Sequence, residues 1–149
     1  MKKSTILLAL LTFLFVKANS QILKPVTWSY AAKKTSPTTA VIYIKANIDA
    51  GWHLYSQFVK EGGPVKTTFN FGKGKDYTIV GRTTEPKPVI KYEPVFKSDV
   101  SFFEKSVIFQ QKIKFNSKNP TVKGTVEFMT CNDKQCLPPE EIEFSVIVK

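Results

Sequence analysis

Apolar and polar residues alternate along most of this chain with a period of two. Ile42, Ile44, Ala46 and Ile48 fall on one side of such a run, with Tyr43, Lys45 and Asn47 on the other. Val107, Phe109, Ile113 and Phe115 oppose Gln110, Lys112 and Lys114 in the same way. Val122, Val126 and Phe128 oppose Lys123, Thr125 and Glu127, and Ile142, Phe144, Val146 and Val148 oppose Glu141, Glu143 and Ser145. Successive side chains of an extended chain point to opposite faces, so each run predicts a strand with one dry face and one wet face. Shorter strands are predicted over residues 26–30, 52–56, 67–71 and 77–81. Turn-forming clusters such as Gly62-Gly63-Pro64, Gly72-Lys73-Gly74 and Asn119-Pro120 separate these runs. No ten-residue stretch carries a capped 3.6-residue period; one short helical turn is expected over residues 100–105. Residues 86–101 hold Pro86, Pro88 and Pro94 and predict a long irregular loop, a form that is often functional in a compact domain. Many short strands at regular spacing predict an all-β fold, an immunoglobulin-like β-sandwich.

The start of the chain breaks this pattern. Lys2 and Lys3 precede an apolar run from Ile6 to Val16, and Ala18-Asn19-Ser20 then offers small residues for cleavage. Residues 1–20 are therefore expected to be a secretory signal, with the working domain at residues 21–149. The apolar run is too short for a membrane span, which needs roughly 20 residues. No second stretch of spanning length follows, so the mature chain is expected to be exported and without a transmembrane segment. The formal net charge is +10, and the first twenty residues carry three of the lysines and no acid, which leaves +7 for the domain. The lysines are scattered among apolar residues, and export removes the chain from nucleic acid. A solvated surface, with no nucleic-acid partner, is the expected reading.

Only two cysteines occur, Cys131 and Cys136, in the segment Thr130-Cys131-Asn132-Asp133-Lys134-Gln135-Cys136-Leu137-Pro138-Pro139. In an exported chain, cysteines this close are expected to pair, here at the end of a sheet around a hairpin-like connection. A disulfide closing so short a loop contributes about 2 kcal/mol as a staple. The same position would also leave a sulfur accessible to a partner thiolate, which is what exchange chemistry requires. Spacing alone leaves both roles open. Cys-x4-Cys outside a βαβ pattern is not a thioredoxin site. One histidine and two pairing cysteines do not make up a zinc or copper site, and no cofactor is expected. No Ser/His/Asp arrangement or phosphate-binding loop supports a hydrolase.

The cysteine segment, led by Phe128-Met129 and closed by Leu137-Pro138-Pro139, resembles that of the N-terminal (disulfide bond corrector) domain of the DsbD thiol:disulfide interchange family. Gly51-Trp52-His53-Leu54-Tyr55-Ser56-Gln57 resembles a second motif of that family. The resemblance spans the mature chain. It implies an immunoglobulin-like sandwich whose disulfide exchanges electrons with periplasmic thioredoxin-like partners, a thiol–disulfide oxidoreductase of the protein-disulfide reductase type. It implies that Cys136 is the exposed nucleophile and Cys131 the resolving cysteine. It also implies a cap loop at Tyr92-Glu93-Pro94-Val95-Phe96, with Phe96 as lid, and places His53 and Tyr55 near the disulfide. His53 would there stabilise a thiolate when protonated. Two features depart from the family pattern. The inter-cysteine loop is one residue shorter than in the best-known members, and His53 stands where they carry a tyrosine. Without a membrane or thioredoxin domain in the sequence, an electron donor such as a DsbD-like membrane reductase is expected to act in trans. The competing reading is an immunoglobulin-like binding or adaptor module in which the disulfide is only structural.

Overall fold

The computed structural model describes residues 23–149, so the expected signal segment lies outside the described residues. Eleven strands follow in chain order: β1 (Val26–Ser36), β2 (Thr39–Ile48), β3 (Trp52–Tyr55), β4 (Thr68–Phe71), β5 (Tyr77–Thr84), β6 (Val89–Glu93), β7 (Ser98–Phe103), β8 (Ser106–Phe115), β9 (Thr121–Phe128), β10 (Thr130–Asn132) and β11 (Glu140–Ile147). Strand β8 follows the alternation rule without a break, every second residue from Val107 to Phe115 being buried. Every pairing is antiparallel. The strands form three sheets, ordered β1-β2-β8-β5, β10-β3-β7-β6 and β11-β9-β4.

The first and third sheets pack face to face as an immunoglobulin-like β-sandwich. Trp28 of β1 sits between them, with its ring 5.2 Å from Phe128, 6.2 Å from Phe109 and 6.4 Å from Phe69. Ile42, Ile44, Phe109, Ile113, Val122 and Val126 are fully enclosed around it. This main core needs nothing from the cysteines.

Polar side chains also reach that interior, Gln111 and Thr83 among them. Gln111 takes an inward position on β8 and is buried. Its carbonyl accepts from Thr83 Oγ1 at 2.8 Å, and its amide donates to the carbonyls of Val80 (3.0 Å) and Lys112 (2.8 Å). It thereby satisfies a bulge in β5 between Val80 and Thr84, where Gly81 adopts a φ of +71°. The bulge lets β5 run on to Thr84, beyond the end at residue 81 that its glycine suggests.

Two sequence expectations are corrected. Residues 100–105 form no helical turn; Ser98–Phe103 is strand β7. Phe102 and Phe103 are both buried, but in different apolar clusters on opposite sides of the strand, so no alternation survives in the sequence. Residues 86–101 are not an irregular loop but mostly a hairpin of β6 and β7. Strand β6 is a sheet edge whose Val89, Ile90, Lys91 and Tyr92 are exposed whichever way they point, which again removes the period-two signal. Its prolines lie where ladder hydrogen bonds are not needed: Pro86 and Pro88 before the strand, Pro94 in the turn.

Candidate active site

Strand β3 is the wall between the main core and the candidate site. Trp52 and Leu54 face the main core, while Tyr55 faces a second, smaller cluster with Val100, Phe102 and Cys131. Directly paired residues share a face. Cys131 of β10 pairs with His53 of β3, and Tyr55 pairs with Phe102 of β7, so these four side chains converge. The His53 ring lies 4.8 Å from Phe102 and 5.3 Å from Tyr55.

Cys131 and Cys136 are joined in a disulfide with Cα atoms 4.0 Å apart. They face each other as an antiparallel bridge across a turn whose tip is Asp133-Lys134. The turn is held by its own hydrogen bonds. The Asn132 N–H donates to the Gln135 carbonyl at 2.9 Å, and Leu137 N–H to the Thr130 carbonyl at 2.9 Å. The Asn132 side-chain oxygen accepts from the N–H groups of Lys134 (2.9 Å) and Gln135 (2.8 Å), the local bonding for which asparagine is favoured in turns. The two cysteines differ in access. Cys131 is 2% exposed, whereas Cys136 is exposed. A thiolate arriving from solvent therefore meets Cys136 first.

The hairpin tip between β6 and β7 lies beside this pair and lines the same cleft. Phe96 N–H donates to the Glu93 carbonyl at 3.1 Å and Lys97 N–H to the Pro94 carbonyl at 3.2 Å, with Lys97 at a φ of 49°. This turn aims Phe96 back at Tyr55, edge to face at 6.2 Å between ring centres. Phe96 is half-buried there against the smaller cluster. A cleft of about 330 Å³ remains, lined by both cysteines, His53, Tyr55, Glu93, Val95 and Phe96 together with the turn from Asn132 to Gln135. The foot of the hairpin is clamped. Glu85 accepts from Ser56 Oγ, from Gln57 N–H at 3.0 Å and from Gln57 Nε2 at 3.1 Å.

The site's electrostatics follow from partial burial. Desolvation holds the His53 imidazole below its ordinary pKa, against the upward pull of Glu93, Glu104 and Asp133. Burial, assisted by Glu93, pushes the Tyr55 phenol up to about 12. The two side chains are hydrogen-bonded at 3.3 Å from Nε2 to Oη. With its pKa lowered, His53 is mostly uncharged at neutral pH, and any stabilisation of a thiolate by its charge is confined to acid conditions.

The model of the family described as "Thiol:disulfide interchange protein DsbD, N-terminal" matches residues 19–147. The chain belongs to the DsbD N-terminal family. Among solved structures it is similar to the reduced N-terminal domain of DsbD from Neisseria meningitidis, at a TM-score of 0.58 and 14% identity, with 83% of this chain and 88% of that one covered. It is similar to the N-terminal periplasmic domain of ScsB from Proteus mirabilis, at a TM-score of 0.60 and 19% identity, covering 85% of this chain and 47% of that one. A third likeness, at a TM-score of 0.57 and 14% identity over 84% of this chain and 87% of the other, is to a complex of the DsbD N-terminal and PilB N-terminal domains from Neisseria meningitidis. No curated protein matches the chain. At these identities the structural likeness speaks to the fold, and the family match to membership.

Within this DsbD N-terminal domain the residues singled out from sequence fall into two groups. Cys131, Cys136, His53, Tyr55, Glu93 and Phe96 line one cleft. Tyr92 does not; it is 57% exposed on the edge strand β6, turned away from the cysteines. Sequence reasoning did not single out Asn132 or the Glu85 clamp. Asn132 was legible as a turn-former between the cysteines. Glu85 was not, because its partners Ser56 and Gln57 are 29 and 28 positions away. Among the described residues no helix is long and apolar enough to cross a membrane.

Proposed function

We infer that this protein is an exported, periplasmic thiol–disulfide exchange domain that passes reducing equivalents to partner proteins through Cys131 and Cys136. The observation that carries this reading is the asymmetry of the disulfide: one sulfur is packed against Tyr55 and Phe102, and the other belongs to an exposed residue at the mouth of a cleft. Family membership supports it.

In the loading direction, a thiolate of a reduced donor attacks Sγ of Cys136. The S–S bond breaks, and Cys131 leaves as a thiolate that takes up a proton. The donor's second thiolate then attacks its own sulfur in the mixed disulfide and frees Cys136. The donor is oxidised to a disulfide and this domain holds the two electrons as a dithiol. In the delivery direction, the Cys136 thiolate attacks an acceptor's disulfide, and Cys131 resolves the mixed disulfide, restoring the Cys131–Cys136 bond and releasing the reduced acceptor. The partners this reading calls for are thioredoxin-like periplasmic proteins or a DsbD-like membrane reductase acting in trans. The Neisseria DsbD N-terminal domain, solved in complex with a PilB N-terminal domain, offers one precedent for such a partner.

Covalent trapping tests the roles. Cys131→Ala leaves the Cys136 thiolate without a resolving partner and is expected to accumulate mixed disulfides with periplasmic proteins, reversible by reductant. Cys136→Ala leaves only the enclosed Cys131 and is expected to trap far less. Trapping confined to Cys136→Ala would reverse the assignment. Trapping by neither would leave the disulfide as a staple.

A further inference from the structure

Four of the lysines scattered along the sequence come together in space. The four strands of the β1-β2-β8-β5 sheet contain no aspartate or glutamate. The outer face of this sheet, the one turned from the core, can be read row by row. Lys33, Val41, Lys112 and Val80 form one row across all four strands. Thr39, Lys114 and Thr78 form the next, and Ser29, Lys45 and Ile108 another. Four lysines thus share one face with hydroxyl, amide and apolar neighbours. Among the described residues the one ion pair is Lys91–Glu93, so no carboxylate neutralises them. The nearest acids in sequence, Asp49, Asp76, Glu85 and Glu104, lie beyond the strand ends, and Glu85 is engaged by Ser56 and Gln57.

The opposite face of the sandwich has the opposite sign. On the outer face of β11-β9-β4, Glu141 pairs with Glu127 and Glu143 with Thr125, against the single cation Lys123. The domain is therefore charge-polar across its thickness. In a fixed field it would orient with the β1-β2-β8-β5 sheet toward negative charge.

We propose that this basic sheet face docks on the surface of an anionic lipid bilayer. The character of the face selects that occupant. The four cations that the register places on it are lysines, compact point charges on flexible stems and not the planar forks that read one phosphate bidentately; the exposed Arg82 of β5 lies in the bulge, outside the register. They are spread across the width of the sheet instead of converging on a pocket. Such charges conform to a fluid plane of headgroups, to which each basic residue adds attraction within a Debye length. Val41, Val80 and the 42% exposed Ile108 lie between them, and apolar side chains of this kind are tolerated at a headgroup boundary. None of the residues lining the cysteine cleft belongs to this sheet, so a docked domain keeps the cleft free for a protein partner. The inference does not depend on the disulfide being active.

The test is co-sedimentation of residues 21–149, which contain every described strand, with vesicles of mixed phosphatidylglycerol and phosphatidylcholine or of phosphatidylcholine alone. Binding to the anionic vesicles only, weakening as salt rises, is expected. Lys33→Glu/Lys112→Glu/Lys114→Glu is expected to weaken it about tenfold or more. A control with the same charge change on exposed loops, Lys60→Glu/Lys66→Glu/Lys73→Glu, is expected to change it less than about twofold. The corresponding Lys→Gln set on the sheet, which removes charge without adding any, should fall between and covers the case in which the glutamate set misfolds. Equal losses in the sheet and loop variants would reduce the effect to net charge and overturn the proposal. Binding to neither vesicle would do the same. Salt-sensitive self-association in solution that the sheet variant abolishes would assign the face to the acidic sheet of a second copy instead.

Discussion

Cys131 and Cys136 are five positions apart in sequence and lie in very different surroundings. That difference comes from β10, which is only three residues long. It pairs Cys131 against His53 and ends, so the chain turns and leaves Cys136 on the outside. The spacing of the cysteines was legible in the sequence, but the asymmetry was not, since it depends on β10 pairing with a strand some eighty residues earlier. His53 was legible only as a departure from a motif; its environment comes from contacts with Phe102 and Tyr55. A histidine with a lowered folded-state pKa is penalised for charging in the fold. The stability this represents is fully present above the ordinary histidine pKa and is lost as pH falls through the lower folded value. We therefore expect the thermal stability of the wild type to fall relative to that of His53→Gln between about pH 7 and about pH 5. A difference in Tm that stays constant across that range would contradict it.

At the scale of elements, the β6–β7 hairpin is the part that the sequence concealed most. Its edge strand has no buried face to impose a period, and its inner strand has two. What the residues did announce was the tip, where Pro94 and Phe96 stood out. The Phe96 ring is half-buried over the smaller cluster, so Phe96→Ala should cost only about 1–2 kcal/mol, less than a fully buried phenylalanine. It should also open the cleft beside the disulfide and speed its reduction by a small thiol by up to about tenfold, as a shift of about 1.4 kcal/mol in the barrier would. Stopped-flow reduction with dithiothreitol reads this directly; an unchanged rate would mean that Phe96 is no lid. The hairpin's foot depends on Glu85. Hydrogen bonds to a charged group contribute about 1.5–3 kcal/mol, so Glu85→Ala should lose about 2 kcal/mol in a denaturant titration. A loss under about 0.5 kcal/mol would show that the clamp is ornamental to stability.

For the whole molecule, the alternating runs of β2, β8, β9 and β11 were enough to foresee an antiparallel sandwich, because each buries one face against the other sheet. What alternation does not carry is which sheet a strand joins. The chain crosses from the third sheet to the second between Phe128 and Thr130, and that crossing separates the disulfide from the main core. Segregation of charge onto opposite faces was hidden for the same reason: the lysines of β1, β2 and β8 become neighbours only through register. Because the main core and the cysteine turn are each held by their own contacts, reduction should leave the domain folded, with a loss of about 2 kcal/mol.

The most direct test of the exchange reading is the reduction potential of the Cys131–Cys136 disulfide, measured by equilibrating the protein with glutathione or dithiothreitol buffers. A potential well above about −300 mV, with the β-sheet circular dichroism retained in the reduced protein, is the expected result. A potential below about −300 mV, with the fold lost on reduction, would contradict the account and make the disulfide a structural staple.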